Sequence, residues 1–371
     1  DTITASSLAG PTAKAFGWYL NTPSAVNISQ LDPSTLNALT IQAPSIQVNQ
    51  FTLNPLTSWS VGSQPALNLV ATGSDNSGAI TINNADLHYK TSGTGDVVRL
   101  KAASGNLTIS NSSLSSDAGT FDLSGYSITL TGTTLSSSGG SLKLGGAQSL
   151  NISGSSLSAT SGTITLNGGD LTIGSGSQLS ADGGSLDLRA SHDLHLGGSL
   201  AATGNLSIEA LSGGVKIGVG SSLTSGGAIG ITGVSQADPK LAGGVTIFGS
   251  SAVPTLVEAT GALRIQGTGG TTPDYSVGVY GDGATLRSTA SSITISGSGG
   301  SAGGESDGVQ LDNMVLAAFS GISLNGQGGT ASSGINNEGI YAFNTSFTTS
   351  SGLIALIGTG GSTGEIGRAH V

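Results

Sequence analysis

The sequence contains no cysteine, only 9 per cent of its residues are charged, and only 4 per cent are aromatic. The lack of cysteine excludes a disulfide scaffold and a CxxC metal or redox site. No apolar run reaches the roughly 18 residues of a membrane-spanning helix. Cationic residues are also scarce, since 11 Lys and Arg face 21 Asp and Glu, giving a net charge of −10. This balance disfavours nucleic acid and anionic membranes as partners.

Glycine is the abundant residue, with 62 among 371, and 36 per cent of the chain is hydrophobic. A solvated, disordered chain would be less apolar than this. The glycines follow no collagen triplet, and no heptad pattern of a coiled coil is present. The composition therefore predicts a folded chain with a buried apolar interior and many turns.

Pairs of apolar residues, two positions apart, recur about every 22 residues. The first series comprises Phe121/Leu123, Leu142/Leu144, Ile164/Leu166, Leu186/Leu188, Leu206/Ile208 and Ile229/Ile231. The second comprises Leu107/Ile109, Ile128/Leu130, Leu150/Ile152, Leu171/Ile173, Leu194/Leu196 and Val215/Ile217. The third is a single leucine at Leu114, Leu135, Leu157, Leu179, Leu200 and Leu223. Three series with one common period indicate a structural repeat.

Apolar residues at i and i+2 are typical of a short strand with one buried face, and glycine between them supplies the turns. Three such strands per 22 residues describe a coil that closes on itself. We therefore expect an all-β fold, a right-handed parallel β-helix with three short strands per coil. In this fold Leu135, Leu157 and Leu179 should stack directly on one another.

The repeat lengthens to about 30 residues in the C-terminal part. The continuing series are Leu263/Ile265, Ile293/Ile295, Ile322/Leu324 and Ile354/Leu356; Val245/Ile247, Val277/Val279, Val309/Leu311 and Ile340/Ala342; and Leu256, Leu286, Leu316 and Phe347. The added residues fall between the first and second strands, so one corner of the coil acquires a loop. With Leu67/Leu69 and Val98/Leu100 included, the pattern predicts about twelve coils.

These patterns divide the chain into four segments. Residues 1–65 hold six of the nine prolines and are expected to form an irregular segment that caps the first coil. Residues 66–231 form the regular β-helix, and residues 232–365 form the β-helix with 30-residue coils and a longer Gly-rich loop. Residues 366–371, Ile-Gly-Arg-Ala-His-Val, break the repeat and are expected to be a non-native tail.

The repeats resemble a known family. The block Ser155–Gly168, its recurrences, the Gly-Thr-Gly-Gly or Gly-Ser-Gly-Gly loops at 267, 297 and 358, and the stretch Leu31–Leu39 are similar to filamentous haemagglutinin-type exoproteins of two-partner secretion. The resemblance implies an internal fragment of a large adhesin at the surface of a Gram-negative bacterium. It also implies an outer-membrane transporter as partner during secretion, and a glycan or protein on a host or neighbouring cell as the attachment target.

Two alternatives are a carbohydrate-active β-helix enzyme and the passenger of a single-chain autotransporter. An enzyme would need carboxylates on adjacent outward positions. The outward positions of the first strand alternate in charge from Asp122 and Lys143 to Asp187 and Arg264, and the second-strand positions, which include Gly278, Gln310 and Tyr341, offer no acid/base pair. The sequence therefore predicts no catalytic residues, no cofactor and no enzymatic activity.

Two acidic groups remain as candidate sites. Counting back from Val277, Val309 and Ile340 aligns Tyr275, Asp307 and Glu338, with Asp274 and Glu305 close by. Stacked acids repel one another unless water or a cation separates them, so Asp274, Glu305, Asp307 and Glu338 are weak candidates for calcium ligands. The second group, a solvated charged turn on the simplest interpretation, comprises Asp182, Asp187, Arg189, His192, Asp193 and His195.

Overall fold

The computed structural model describes residues 2–5, 18–28, 39–49, 52–53, 67–74, 76–89, 96–235, 243–271, 276–301, 306–330 and 337–361. The chain divides into two compact units, Asp1–Gly184 (unit 1) and Ser185–Val371 (unit 2). The regular secondary structure of the described residues is entirely β-strand. None of these residues lies in a helix that is long and apolar enough to cross a bilayer.

The strands of unit 1 are β1 (Thr2–Ala5), β2 (Trp18–Asn21), β3 (Ala25–Ile28), β4 (Leu39–Ala43), β5 (Ile46–Asn49), β6 (Thr52–Leu53), β7 (Leu67–Ala71), β8 (Asn76–Asn83), β9 (Asp86–Tyr89), β10 (Asp96–Ala102), β11 (Gly105–Ser110), β12 (Ser113–Ser116), β13 (Thr120–Thr131), β14 (Thr134–Ser137), β15 (Leu142–Ser153), β16 (Ser156–Ala159), β17 (Ile164–Ile173) and β18 (Gln178–Ala181).

The strands of unit 2 are β19 (Leu186–Ala190), β20 (Leu194–Leu196), β21 (Ser199–Ala202), β22 (Leu206–Ala210), β23 (Val215–Ile217), β24 (Ser222–Ser225), β25 (Ile229–Val234), β26 (Gly243–Phe248), β27 (Thr255–Ala259), β28 (Leu263–Thr268), β29 (Val277–Asp282), β30 (Ala284–Ser288), β31 (Ser292–Ser298), β32 (Val309–Asp312), β33 (Val315–Ala318), β34 (Gly321–Gln327), β35 (Ile340–Phe343), β36 (Ser346–Thr349) and β37 (Ile354–Thr359).

Each unit is a parallel β-helix, because every strand pairs in parallel with its equivalent one coil away. In unit 1 the third strands pair in the order β6, β9, β12, β14, β16 and β18. In unit 2 they pair in the order β21, β24, β27, β30, β33 and β36. First and second strands form corresponding ladders, and β13, β15 and β17 each run through both strands of one coil. The predicted fold class is confirmed.

The interior of each unit is a set of stacked aliphatic side chains. In unit 1, Leu135 pairs with Leu157 and Leu157 pairs with Leu179. All three side chains are buried, as the 22-residue period predicts. Along each strand buried and partly exposed residues alternate, because successive side chains point to opposite faces. The outward positions are therefore the ones available for function.

Paired strands begin before the expected start of the regular repeat at residue 66. Among the first strands β2 pairs with β4 and β4 with β7, and among the second strands β1 pairs with β3, β3 with β5 and β5 with β8, so paired rungs precede the first predicted one. Ile41 and Val48 are buried there like the later ladder residues. The tail at 366–371 lies outside the described residues.

Two register assignments in the long coils were wrong. Val279, not Val277, pairs with Val245 and Val309, a shift of two residues. In the third strand Val257 pairs with Leu223 and Leu286, so the predicted ladder residue Leu256 faces outward. A slip of one residue exchanges the two faces of a strand, and in Leu256-Val257 both residues are apolar, so the pattern does not distinguish them.

The shift in β29 places a glycine, Gly281, in the interior between Ile247 and Leu311. Met314 compensates for its missing side chain. A Cβ atom added at Gly281 would lie 2.9 Å from the Met314 Cε, and Met314 is buried. The flexible methionine therefore fills a gap that the strand periodicity alone would assign to a branched aliphatic residue.

Tyr89 is an exception to the aliphatic interior of unit 1. It pairs with Ser116 and is buried, and its hydroxyl has no hydrogen-bond partner among the described residues. Burial raises the pKa of the phenol well above its ordinary value, because the anionic form would lose its hydration.

We expect Tyr89→Phe to stabilise unit 1 by about 1 kcal/mol at neutral pH, because it removes an unsatisfied buried hydroxyl. The gain should widen above the ordinary tyrosine pKa of 10.0, where the unfolded chain releases the Tyr89 proton and the folded chain retains it. Urea unfolding at a series of pH values measures both effects. Tyr126→Phe, at an exposed tyrosine of the same unit, is the control. Equal stabilities of wild type and Tyr89→Phe across the series would contradict the prediction.

Candidate functional site on the second strands of unit 2

The outward residues of the second strands in unit 2 form two adjacent columns. Register pairs define the first column as His195, Lys216, Thr246, Tyr280, Gln310 and Tyr341. The second column, two residues further along each strand, is Phe248, Asp282, Asp312 and Phe343. We call the surface formed by Lys216, Thr246, Phe248, Tyr280, Asp282, Gln310, Asp312, Tyr341 and Phe343 the strand-two face. The periodicity of the sequence places Gly278 at this position, and the structure places Tyr280 there instead.

One end of the strand-two face is a stack of a cation and two aromatic rings. The Lys216 Nζ lies 5.5 Å from the centroid of the Phe248 ring. Phe248 meets Tyr280 edge to face, with centroids 5.7 Å apart and an interplanar angle of 61°. Both contacts are favourable, because the ring face is negative and its edge positive. Lys216 and Tyr280 therefore both stabilise the position of the Phe248 ring.

Thr246 lies between Lys216 and Tyr280 in the same column. Although it occupies an outward position, only 1% of its surface is exposed. Its hydroxyl has no hydrogen-bond partner among the described residues. A buried hydroxyl without a partner is costly, so the face retains one polar group whose hydrogen-bonding capacity is unused.

The middle of the strand-two face holds two carboxylates on adjacent coils, Asp282 and Asp312, which are register partners. The Gln310 Nε2 donates to the Asp312 Oδ2 at 3.2 Å, and the Asn313 Nδ2 donates to the Asp282 Oδ1 at 3.1 Å. Burial raises the pKa of Asp312, and the charge of Asp282 raises it further, while the Gln310 hydrogen bond opposes both. Asp312 therefore keeps its proton to a higher pH than an exposed aspartate.

A corner in the left-handed conformation positions these carboxamides. Gly283, Asn313 and Asn344 follow the second strands of successive coils with φ of 67°, 54° and 47°. Asparagine tolerates this region better than other residues with side chains, which explains its use where glycine is absent. The Asn344 Nδ2 donates to the Asn313 Oδ1 at 2.9 Å, extending the polar row that begins at Asp282.

Pairs of glycines line the opposite corner, where the long loop leaves and rejoins the coil. The pairs are Gly233/Gly244, Gly267/Gly278, Gly297/Gly308 and Gly326/Gly339. In each, a Cβ on the first glycine would overlap the carbonyl oxygen of the second. Two backbone segments can run this close only without side chains. We call this corner the glycine neck; the second glycines of the four pairs stand in register with one another, at or beside the start of each second strand.

Two of the four calcium candidates, Asp307 and Glu338, lie next to glycines of the glycine neck, Gly308 and Gly339. Asp274 and Glu305 fall outside the described residues. Asp307 is buried, and its Oδ1 accepts a hydrogen bond of 2.8 Å from the backbone N–H of Glu338. The corrected register places Asp307 level with Val277 rather than Tyr275. No group of three potential ligands occurs among the described residues, so calcium binding stays a prediction.

Several other charged residues form ion pairs on the surface. In unit 2 the Arg189 Nε lies 3.2 Å from the Glu209 Oε2. In unit 1 the Arg99 Nε lies 3.6 Å from the Asp122 Oδ2. Within the charged turn, Asp193 accepts a 2.9 Å hydrogen bond from the Gly214 N–H. Exposed pairs of this kind contribute about 0–1 kcal/mol each, which fits a solvated surface.

The chain matches no family model, and no curated protein or solved structure matches it. The geometry of the strand-two face is therefore the basis for assigning it a function. The face combines aromatic rings, of which Phe248 and Tyr280 are in edge-to-face contact, with two carboxylates that accept hydrogen bonds from carboxamides. Such a surface can stack against apolar faces and accept hydrogen bonds from hydroxyl or amide donors.

Proposed function

We propose that this chain is a structural and adhesive β-helical segment of a large secreted exoprotein at a Gram-negative cell surface. The observation that carries the proposal is the strand-two face: aromatic and polar side chains in register over successive coils of unit 2. A scaffold of repeating coils holds many weak contacts in fixed relation, and their combined effect gives attachment. The proposed partners are an outer-membrane transporter during secretion and a glycan or protein on the target cell.

Adhesion can be tested with fluorescent beads coated with the 371-residue chain. We expect the beads to bind cultured epithelial cells or bacterial cells well above beads coated with albumin. Free chain in solution should compete for the same sites. Bead binding equal to that of albumin on both cell types would overturn the adhesive proposal.

A second candidate function, glycoside cleavage, is favoured by Asp282 and Asp312. Their strands are about 4.8 Å apart, similar to the separation of about 5–5.5 Å between the two carboxyl groups of retaining glycosidases. The raised pKa of Asp312 is of the kind a general acid requires. Release of reducing ends from oligosaccharides by the wild type, and its loss in Asp312→Asn, would favour this function over simple attachment.

A further inference from the structure

We infer that the strand-two face binds an unbranched neutral glycan, with successive sugar rings lying along successive coils. This inference rests on the proposed attachment function and names the class of ligand. A pyranose ring has an apolar C–H face and a rim of hydroxyl groups. The strand-two face offers a counterpart to each: the rings of Tyr280, Tyr341 and Phe343, and the oxygens of Asp282 and Asp312.

The aromatic rings suit the C–H faces of sugars because the negative face of a ring attracts weakly positive hydrogens. Tyr280 and Tyr341 stand two coils apart in one column, with Gln310 between them. Phe343, at the end of the second column, is 59% exposed. An exposed phenylalanine beside partly exposed tyrosines is an apolar surface that gains by being covered.

The polar groups suit hydroxyl donors. Asp282 and Asp312 each have one oxygen occupied by a carboxamide, from Asn313 and Gln310 respectively. Their other oxygens can accept hydrogen bonds from ligand hydroxyls, and hydrogen bonds to a carboxylate are stronger than those between neutral groups.

Charge decides between neutral and anionic glycans. The strand-two face carries two aspartates and a single cation, Lys216, whose ammonium is directed at Phe248. The whole chain has a net charge of −10. Sulfated or carboxylated glycans would meet repulsion at the centre of the face, whereas hydroxyl groups would meet acceptors.

The spacing of the coils fits an extended glycan. Adjacent strands of a sheet lie about 4.8 Å apart, close to the advance of one pyranose unit in an extended chain. The face runs from Lys216 over Thr246, Tyr280 and Gln310 to Tyr341, one residue per coil. A linear oligosaccharide can therefore place successive rings over successive coils without bending.

Calorimetry with the 371-residue chain tests the inference. The probes are cellohexaose, chitohexaose and mannohexaose as neutral chains, and a heparin hexasaccharide as the anionic one. We expect binding of at least one neutral hexaose and none of the heparin fragment. Tyr280→Ala combined with Tyr341→Ala should weaken the binding at least tenfold, whereas Tyr126→Ala, at an exposed tyrosine of unit 1, should leave it unchanged.

Three outcomes would overturn the inference: no binding of any neutral hexaose, equal binding by the double variant, or equal binding of the heparin fragment. Thermal melting should show that the double variant, which loses the contact between Tyr280 and Phe248, is still folded at the temperature of the calorimetry, so that lost binding reports the face. Cleavage of a bound hexaose would support glycan binding by the strand-two face, and would favour catalysis over attachment as the function of that face. Absence of hexaose binding together with bead adhesion that survives the double variant would overturn glycan recognition by this face and leave the attachment function standing.

Discussion

Replacing Leu157 by alanine is expected to lower the free energy of unfolding by about 2–5 kcal/mol, the range for buried leucines. Leu157 is fully buried and pairs with Leu135 on one side and Leu179 on the other. Its loss leaves a cavity that faces both neighbouring coils. Because each coil depends on its neighbours for burial, the damage reaches two interfaces at once.

Urea unfolding followed by circular dichroism measures this effect. Ser158→Ala is the matched control, since Ser158 is the next residue of β16 and faces outward. It should change stability by less than about 0.5 kcal/mol. If Leu157→Ala and Ser158→Ala unfolded at the same urea concentration, stacking of the leucine column would not be the main source of stability.

Replacing Gly297 by alanine is expected to destabilise unit 2 by about 3 kcal/mol or more, at the upper end of overpacking effects. A Cβ at Gly297 would overlap the carbonyl oxygen of Gly308, a backbone atom that cannot rotate away. Gly308 also donates its N–H to the Glu338 carbonyl at 2.9 Å, so moving it would break a hydrogen bond to the next coil.

Gly230→Ala is the control for this substitution. Gly230 also lies in a first strand of unit 2, but a Cβ there would have no neighbour within 4 Å. Its replacement should leave the thermal unfolding midpoint nearly unchanged. Equal midpoints for the two variants would mean that the backbone of the glycine neck can shift to accommodate a Cβ atom. The close approach would then not explain the glycines at the paired positions.

The fold could be predicted from the sequence because one rule governs most of it. Aliphatic residues at i and i+2 mark the inside of a strand, and their 22-residue period fixes the register wherever no residues are inserted. Leu142 pairs with Ile164 and Leu206 with Ile229 as that rule requires. Such local, repeated information needs no knowledge of distant contacts.

The register across the long loops could not be predicted in the same way. In Val277-Gly278-Val279 two valines two residues apart can both fill the ladder position, and only contacts with β26 and β32 select Val279. Gly281 can occupy an interior position because Met314, from the next coil, fills the space beside it. Periodicity carries no information about such compensation.

The strand-two face could not be predicted from the sequence because it depends on the register across the long loops. The predicted register of β29 is displaced by two residues from the observed one. It therefore puts Gly278 rather than Tyr280 in the first column, and the row of aromatic residues is not visible in the predicted pattern. Asp282 and Asp312 then also lost their relation as register partners. The signal that could have identified the site is an aromatic or acidic residue at an outward position of each second strand that follows a long loop, namely Phe248, Tyr280, Asp282, Asp312, Tyr341 and Phe343.

Dependence of each coil on its neighbours has a mechanical consequence. Under tension applied across one unit, hydrogen bonds between coils fail one interface at a time, so the chain should lengthen in discrete steps. A coil such as that between Leu135 and Leu157 releases 22 residues, or roughly 75 Å of contour at about 3.4 Å per residue. The 30 residues between Leu286 and Leu316 release roughly 100 Å on the same scale. Force spectroscopy on single molecules should therefore give two step lengths, one from each kind of coil.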